Sequence, residues 1–303
     1  IDLTPALEMD GVYAAVSGQD FPQKYGIIPW TMDENALALE RVRYVGDGVA
    51  AVAAIDEETA IRACQAIRVM YEPLEALFDP EEAARREDVQ LHEGKRPGNL
   101  TKRVNLAFGD VDEALREAAL TIEGEYFFQG TNHAAIEPHC AIGQYETNGM
   151  VTVTSATQVP HYLHRELARV LKIPGNQIRV IQPPIGGAFG GKSEPFDLEF
   201  CVALLAKKTG RPVKILYTRE EVFLAHRGRH PTRTKAKMSF DDDGMITGYD
   251  ADLLLDGGAY ASFGLVTTYY AGQLTSLPYQ MPSYRYLSRR VYTNKPACGP
   301  KRG

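Results

Sequence analysis

The sequence predicts an α+β protein in two parts. Short runs with strand alternation and runs with helical spacing succeed one another, with no internal repeat or low-complexity tract. One charged stretch poor in large apolar residues, DPEEAARREDVQLHEGKRPGNLTKR at 79–103, stands between two such series. At 303 residues and 44% hydrophobic content, the chain can bury a core in one large or two ordinary domains.

Taken in order, IDLTPALEMDGVYAAV alternates like a strand already under way. It has no initiator Met and no basic leader, so it is expected to come from inside a longer protein. DGVAAVAAI at 47–55 reads as a strand. The helical run EETAIRACQAIRVM at 57–70 puts Ala60, Ile61, Cys64 and Ile67 on one face. A strand and turn follow at 69–77, then the linker at 78–105, so that the first part is 1–77 and the second 106–303. The second part opens with a short helix at 110–118 and strands at 119–128 and 151–154. HYLHRELARVLK at 161–172 carries Leu163, Leu167, Val170 and Leu171, the stripe of a packed helix. After Pro174-Gly175 come a strand at 178–182 and a helix at 196–210, which ends on Lys207, Lys208 and Gly210. A strand at 212–217 leads into Thr218 and Glu221, spaced as a capping box. TRTKAKMSF at 232–240 and MITGYDADLLL at 245–255 read as a hairpin closed by Asp243-Gly244.

The formal charge of -6 argues against nucleic acid as a partner, since phosphate binding needs a basic face. No run reaches the ~18 apolar residues of a membrane span. Cys64, Cys140, Cys201 and Cys298 are far apart and form no zinc or iron–sulfur pattern, so a reducing, cytoplasmic compartment is expected. His133 and His139 flank Glu137 in NHAAIEPHCAIG at 132–143, a grouping that invites a metal. Pro138 breaks any helical face there, so a structural or pocket-lining role is expected and no metal ligand is assigned.

IQPPIGGAFGGKSEPF at 181–196 is the most informative stretch. Residues 186–193 spell G-x-x-x-x-G-K-S, the phosphate-loop pattern. In a phosphate loop the helix begins at Gly-Lys-Ser itself, with its N-terminus facing the anion. Here Pro195 pushes Glu194 out of the α region, so a helix starts at Pro195 or later, and Pro183-Pro184 separates the strand from the glycines. The one acidic strand available, LLLD at 253–256, lies on the return leg of a hairpin, where a nucleotide fold needs a parallel strand. A nucleotide-binding protein therefore stays only as an alternative, as does a non-catalytic assembly domain. The residues themselves support a backbone cradle, with Phe189 at its tip, for a bulky anionic or conjugated ligand.

Beside its neighbours, that loop resembles the molybdenum hydroxylases of the xanthine oxidase and aldehyde oxidase family. DGVAAVAA, YEPLEA, HAAIEPHCA, SATQ, GGAFGGK, RHP, LDGGAY and TNKPACGPKRG stand in the family's order. HRGRHP, DGGAYASFG and TNKPACGPKRG are most similar to the α subunit of 4-hydroxybenzoyl-CoA reductase, which removes a phenolic hydroxyl reductively. The resemblance implies a partial α/β-hammerhead domain followed by the first half of a molybdopterin-binding region. It also implies that a missing C-terminal half or subunit supplies the catalytic glutamate. Gln158 then matches the glutamine that hydrogen-bonds an oxygen ligand of molybdenum. Gly187, Ala188, Phe189 and Gly190 match the loop over the cofactor, and Arg302 an arginine beside the metal ligands. Ser193 stands where purine-oxidising members place a substrate-orienting glutamate, which argues for another small aromatic substrate. Lys301 replaces the family's usual phenylalanine. Tyr269 and Tyr270 are candidates for a substrate funnel. The family holds its metal through the cofactor and not through side chains. Its implied partners are an iron–sulfur subunit, because this chain has no cluster motif, and in some members an FAD subunit.

Overall fold

The computed structural model describes residues 1–93 and 98–302. In chain order it begins with α1 (Thr4–Leu7), β1 (Val12–Ser17), β2 (Ala50–Ala54), α2 (Glu57–Ala66) and α3 (Pro80–Arg85). Next come β3 (Leu100–Phe108), α4 (Val111–Arg116), β4 (Leu120–Phe128), β5 (Cys140–Tyr145), β6 (Val151–Ser155) and α5 (Pro160–Leu171). They are followed by β7 (Ile178–Ile181), α6 (Asp197–Thr209), β8 (Val213–Leu216) and α7 (Arg219–Leu224). The last are β9 (Thr232–Phe240), β10 (Ile246–Asp256), α8 (Thr267–Thr275) and β11 (Ser283–Val291). These elements form two compact units, one of residues 1–75, 133–226 and 301–303, the other of 76–132 and 227–300. The units are interleaved along the chain, whereas the sequence suggested two successive parts on either side of 78–105.

In the first unit a sheet runs in the order β7-β6-β5-β8, parallel between β6 and β7 and antiparallel elsewhere. Helix α6 lies against it with Phe200, Val202 and Leu205 fully buried, and Leu163, Leu167 and Val170 of α5 join the same core. Gly143 in β5 makes the close approach possible, because a Cβ there would stand 2.3 Å from the Val202 carbonyl oxygen. Strands β1 and β2 pair antiparallel over a smaller core that includes Ala6, Ala15, Val52 and Ala63.

Three expectations for this unit are corrected. Only the end of the opening run is strand, in β1 from Val12, and Thr4–Leu7 form α1: Pro5 sits in its first turn and the Asp2 carboxylate accepts from the Thr4 N–H at 3.0 Å. Helix α2 buries Thr59 and Ala63, while Ile61 and Cys64 are exposed. The alternating run at 69–77 has no partner strand among the described residues, and only the bridge between Asp2 and Arg68 precedes it.

The second unit is built on a sheet of order β3-β11-β10-β9-β4, parallel between β10 and β11 and otherwise antiparallel. The β9–β10 hairpin forms as the sequence predicts, its turn closed by the Asp241 carboxylate accepting from the Asp243 and Met245 N–H groups. The stretch expected as a linker is packed where it is described. Leu77, Ala83 and Leu91 are buried with Leu254 and Val291. The Asn99 side chain ties the segment together, accepting from the Leu91 N–H at 3.0 Å and donating to the Val89 carbonyl at 2.8 Å. Residues 94–97 of that stretch lie outside the described residues.

A buried polar network orders the far side of this unit. Arg290, fully buried, donates to His230 Nε2 at 3.0 Å and to the carbonyls of Gly257, Tyr260 and Cys298. Burial and the two arginines Arg290 and Arg229 hold His230 far below its usual range, so it is the neutral acceptor that Arg290 needs. Asp256, also buried, takes Thr293 Oγ1 at 2.5 Å and Lys295 Nζ at 2.6 Å. The RHP, LDGGAY and TNKPAC segments thus meet in one network.

Candidate functional site

The glycine loop leaves β7 through Pro183-Pro184 and reaches α6 only at Asp197, with Phe196 as its N-cap. The helix therefore starts after Pro195, as the sequence predicts, and its N-terminus is not at Gly-Lys-Ser. Lys192, the residue that would face a nucleotide's phosphates, is 2% exposed and bonded at 2.6 Å to Glu137 Oε1. A phosphate-loop lysine must be open to its ligand, so this pairing removes the observation behind the nucleotide reading.

Between its ends the loop turns twice. The Ala188 carbonyl accepts from the Gly191 N–H at 2.8 Å and the Gly190 carbonyl from the Ser193 N–H at 3.2 Å. Gly187, Phe189 and Gly190 all have positive φ, at 97°, 54° and 95°. For a phenylalanine this left-handed conformation is costly, and the surrounding bonds hold it. The Phe189 carbonyl accepts from the Arg302 N–H at 3.0 Å, and the Arg302 guanidinium lies 5.1 Å from the Phe189 ring centre. Phe189 remains 43% exposed, while Ala188 beside it is buried.

Gln158 follows β6 and closes on the loop. Its backbone N–H donates to the Lys192 carbonyl at 2.8 Å. Its side-chain Oε1 accepts from the Gly190 N–H at 3.1 Å, the Lys192 N–H at 3.3 Å and Ser193 Oγ at 3.0 Å. With the carbonyl end so occupied, the amide nitrogen is the end left to face outward, and it has no partner among the described residues. The same holds for three successive backbone donors. Every other N–H from 186 to 193 meets a protein acceptor, but those of Gly187, Ala188 and Phe189 meet none among the described residues. The arrangement is a cradle of N–H donors, with an amide N–H at its rim, suited to a ligand that presents acceptor atoms.

The structure thus brings Gln158, Gly187, Ala188, Phe189, Gly190, Ser193 and Arg302 together within the first unit. Tyr269 and Tyr270 belong to the second unit, on α8, with rings edge to face at 6.1 Å and about half exposed. Sequence reasoning gave the supporting residues no role in the loop. Glu137 Oε2 accepts from the Gly186 N–H at 2.9 Å while Oε1 holds Lys192. Burial pushes the Glu137 carboxyl up, but the Lys192 ammonium and the Gly186 N–H outweigh it and hold the carboxyl below its usual range. His139 Nε2 lies 3.0 Å from the Gly191 carbonyl oxygen, and a Cβ on Gly191 would meet the His133 ring at 2.8 Å. The grouping that resembled a metal set braces the loop from behind. Only the literal adjacency of two histidines and a glutamate marked it in the sequence.

The fold and the loop place the chain in a known class of cofactor-binding domain. The chain belongs to the family described as molybdopterin cofactor-binding domain, whose model matches residues 91–303. Residues 1–75 match the aldehyde oxidase and xanthine dehydrogenase a/b hammerhead domain. Over its whole length the chain is 35% identical to the nicotinate dehydrogenase large molybdopterin subunit of Eubacterium barkeri, covering 70% of that protein. It is 34% identical to the xanthine dehydrogenase molybdenum-binding subunit of Escherichia coli O157:H7, over 98% of this chain and 41% of that one. Among solved structures it superposes on quinoline 2-oxidoreductase from Pseudomonas putida 86 with a TM-score of 0.91 and 28% identity, covering 100% of this chain and 40% of that one. The chain therefore spans less than half of some of the relatives it matches.

Proposed function

We propose that this chain supplies part of the molybdopterin site of a molybdenum-dependent oxidoreductase acting on a small aromatic or heteroaromatic substrate. The observation that carries this reading is the run of N–H donors at 187–189 that meet no acceptor among the described residues, beside the outward amide of Gln158. Those groups fit a cofactor that presents oxygen and sulfur acceptors and no free cation-binding demand on side chains. No group of His, Cys, Asp or Glu among the described residues could itself hold a metal. The bound cofactor would supply the redox chemistry; the chain's residues bind and orient it. Gln158 would donate its amide N–H to the cofactor and residues 187–190 would line it, while Arg302 keeps Phe189 in place from its other side.

For the substrate, Ser193 is spent on Gln158 and offers no carboxylate to anchor a purine ring. We favour reductive dehydroxylation of 4-hydroxybenzoyl-CoA, on the sequence likeness of HRGRHP, DGGAYASFG and TNKPACGPKRG. The relatives' own names, nicotinate and xanthine dehydrogenase, support the wider aromatic heterocycle class. Electrons would pass through a separate iron–sulfur subunit, with FAD on a further one. The test is analysis of the full-length protein with its partner subunits. Molybdenum and pterin should be present in equal amounts, and activity should be measured with 4-hydroxybenzoyl-CoA plus a reductant, with nicotinate and with xanthine. Full-length protein without molybdenum would defeat the reading; turnover of xanthine alone would defeat the choice of substrate.

A further inference from the structure

The loop is held at both ends by one side chain from a distant part of the sequence. Glu137 grips the first glycine, accepting from the Gly186 N–H at 2.9 Å, and its own N–H donates back to the Gly186 carbonyl at 3.3 Å. Its other carboxylate oxygen grips the end of the loop through Lys192 Nζ at 2.6 Å. Lys192 is one of the largest fully enclosed side chains of the chain, and Glu137 is its ion-pair partner. A buried ammonium is tolerated only while its counter-charge is present, so this contact is strongly enforced. The Gly186–Glu137 approach is also tight: a Cβ on Gly186 would stand 2.8 Å from the Glu137 Cβ. At the far end the Lys192 N–H and carbonyl both bind Gln158. One continuous path therefore runs from Glu137 through Lys192 to the amide of Gln158.

We infer that Glu137 and Lys192 are positioning residues: their ion pair, enclosed at Lys192 and part-exposed at Glu137, fixes the span between the two ends of the loop, and so aims the 187–189 N–H groups and the Gln158 amide together. The inference rests on the molybdopterin reading for the identity of what is aimed at, but the brace itself is made entirely by the chain's own residues. Neither side chain needs to touch the cofactor. Removing the Glu137 charge strands the enclosed Lys192 ammonium, and removing the Lys192 charge leaves the Glu137 carboxylate without its counter-charge, whereas removing both leaves two neutral groups of similar volume and no stranded ion.

The test uses the full-length protein in its complex, prepared with and without cofactor. Variants are Glu137→Gln, Lys192→Met and the double variant. In the cofactor-free protein, amide exchange across 186–193 should quicken about tenfold in each single variant and return to within about threefold of wild type in the double. The peptide covering α5 should keep its wild-type exchange in all of them. In the loaded protein, pterin should dissociate faster from the single variants than from the double. If a single variant fails to fold while the double folds with near-native loop exchange, the pair is still shown to be coupled. The inference is overturned if loop exchange is unchanged in the single variants, if α5 quickens equally, or if the double variant is worse than both. Wild-type protein that carries no pterin, yet shows this exchange pattern, would remove the cofactor reading and leave the brace.

Discussion

In the proposed site the two ends of the Gln158 amide have separate duties, and two substitutions separate them. Gln158→Glu keeps an acceptor for the Gly190, Lys192 and Ser193 donors but cannot donate. Cofactor-free stability should stay close to wild type, while retained molybdenum falls tenfold or more, on the order of a lost hydrogen bond to a charged group. Gln158→Ala also removes the acceptor for those part-exposed loop donors and should cost about 1 kcal/mol of stability as well. Thermal unfolding of the cofactor-free protein and metal analysis of the loaded protein would check both; equal stability loss in the two variants would contradict the division. The glycine loop was legible in the sequence from its own composition, four glycines around a phenylalanine, whereas Gln158 came only from the resemblance carried by SATQ. The brace was not. Glu137 and Lys192 meet across 55 positions, and nothing local in either segment signals the other. Ser193 shows the same limit, since nothing near it in the sequence signals its bond to Gln158, 35 positions away.

At the scale of elements, α6 connects the loop to the core through a buried carboxylate. Glu199 closes the helix start, accepting from the Phe196 N–H at 2.6 Å and from Ser155 Oγ at 2.8 Å. Burial outweighs those bonds and pushes its pKa up to about 7, so the fold favours the protonated form. The stability this contributes is whole below the unfolded carboxyl's range near 4.5 and is lost as pH rises toward 7. It amounts to no more than about 3 kcal/mol. Denaturant unfolding between pH 5 and pH 8 should show that loss, and Glu199→Gln should flatten it; an unchanged slope would refute the assignment. The capping box of α7 gives a simpler expectation. Thr218→Ala removes the acceptor for the Glu221 N–H, and should cost about 1 kcal/mol in the same measurement. Elements whose signals are local, such as α5, α6, α7 and the β9–β10 hairpin, were legible because stripe, cap and turn lie within each segment. Helix α8 was not. It is held by the Tyr284 and Tyr286 hydroxyls donating to the Gly272 and Thr268 carbonyls, with Gly272 against the Tyr286 ring, all contacts from a strand further along the chain. The start of β3 was lost within a charged stretch for a like reason: Leu77 and Leu91 have no periodicity of their own and find their partners in β10 and β11.

At the scale of the whole molecule, the interleaving of the units sets what can be removed without loss of the rest. Strands β5, β6, β7 and β8, with α5 and α6 and the loop between Glu137 and Lys192, come from the single stretch 133–226. Strands β3 and β4 precede it, yet pair only with β11 and β9, which follow it. A chain ending at 226 would therefore keep every strand pairing of the first unit and lose every pairing of β3 and β4. Their exposed side chains, Leu120, Ile122, Tyr126, Phe127 and Phe128 among them, would then belong to an unstructured segment. Limited proteolysis should cut such a chain within 100–128 at low protease, while the segment 133–226 resists, including the bond between Lys192 and Ser193. The Arg302 contact with Phe189 would be gone, so Phe189 should lose the support for its left-handed conformation, and exchange should quicken at 188–190 before it does at the Glu137 brace. Protection of 100–128 in that chain would mean that β3 and β4 find each other without β9, β10 and β11. The sheet order drawn for the second unit would then be wrong.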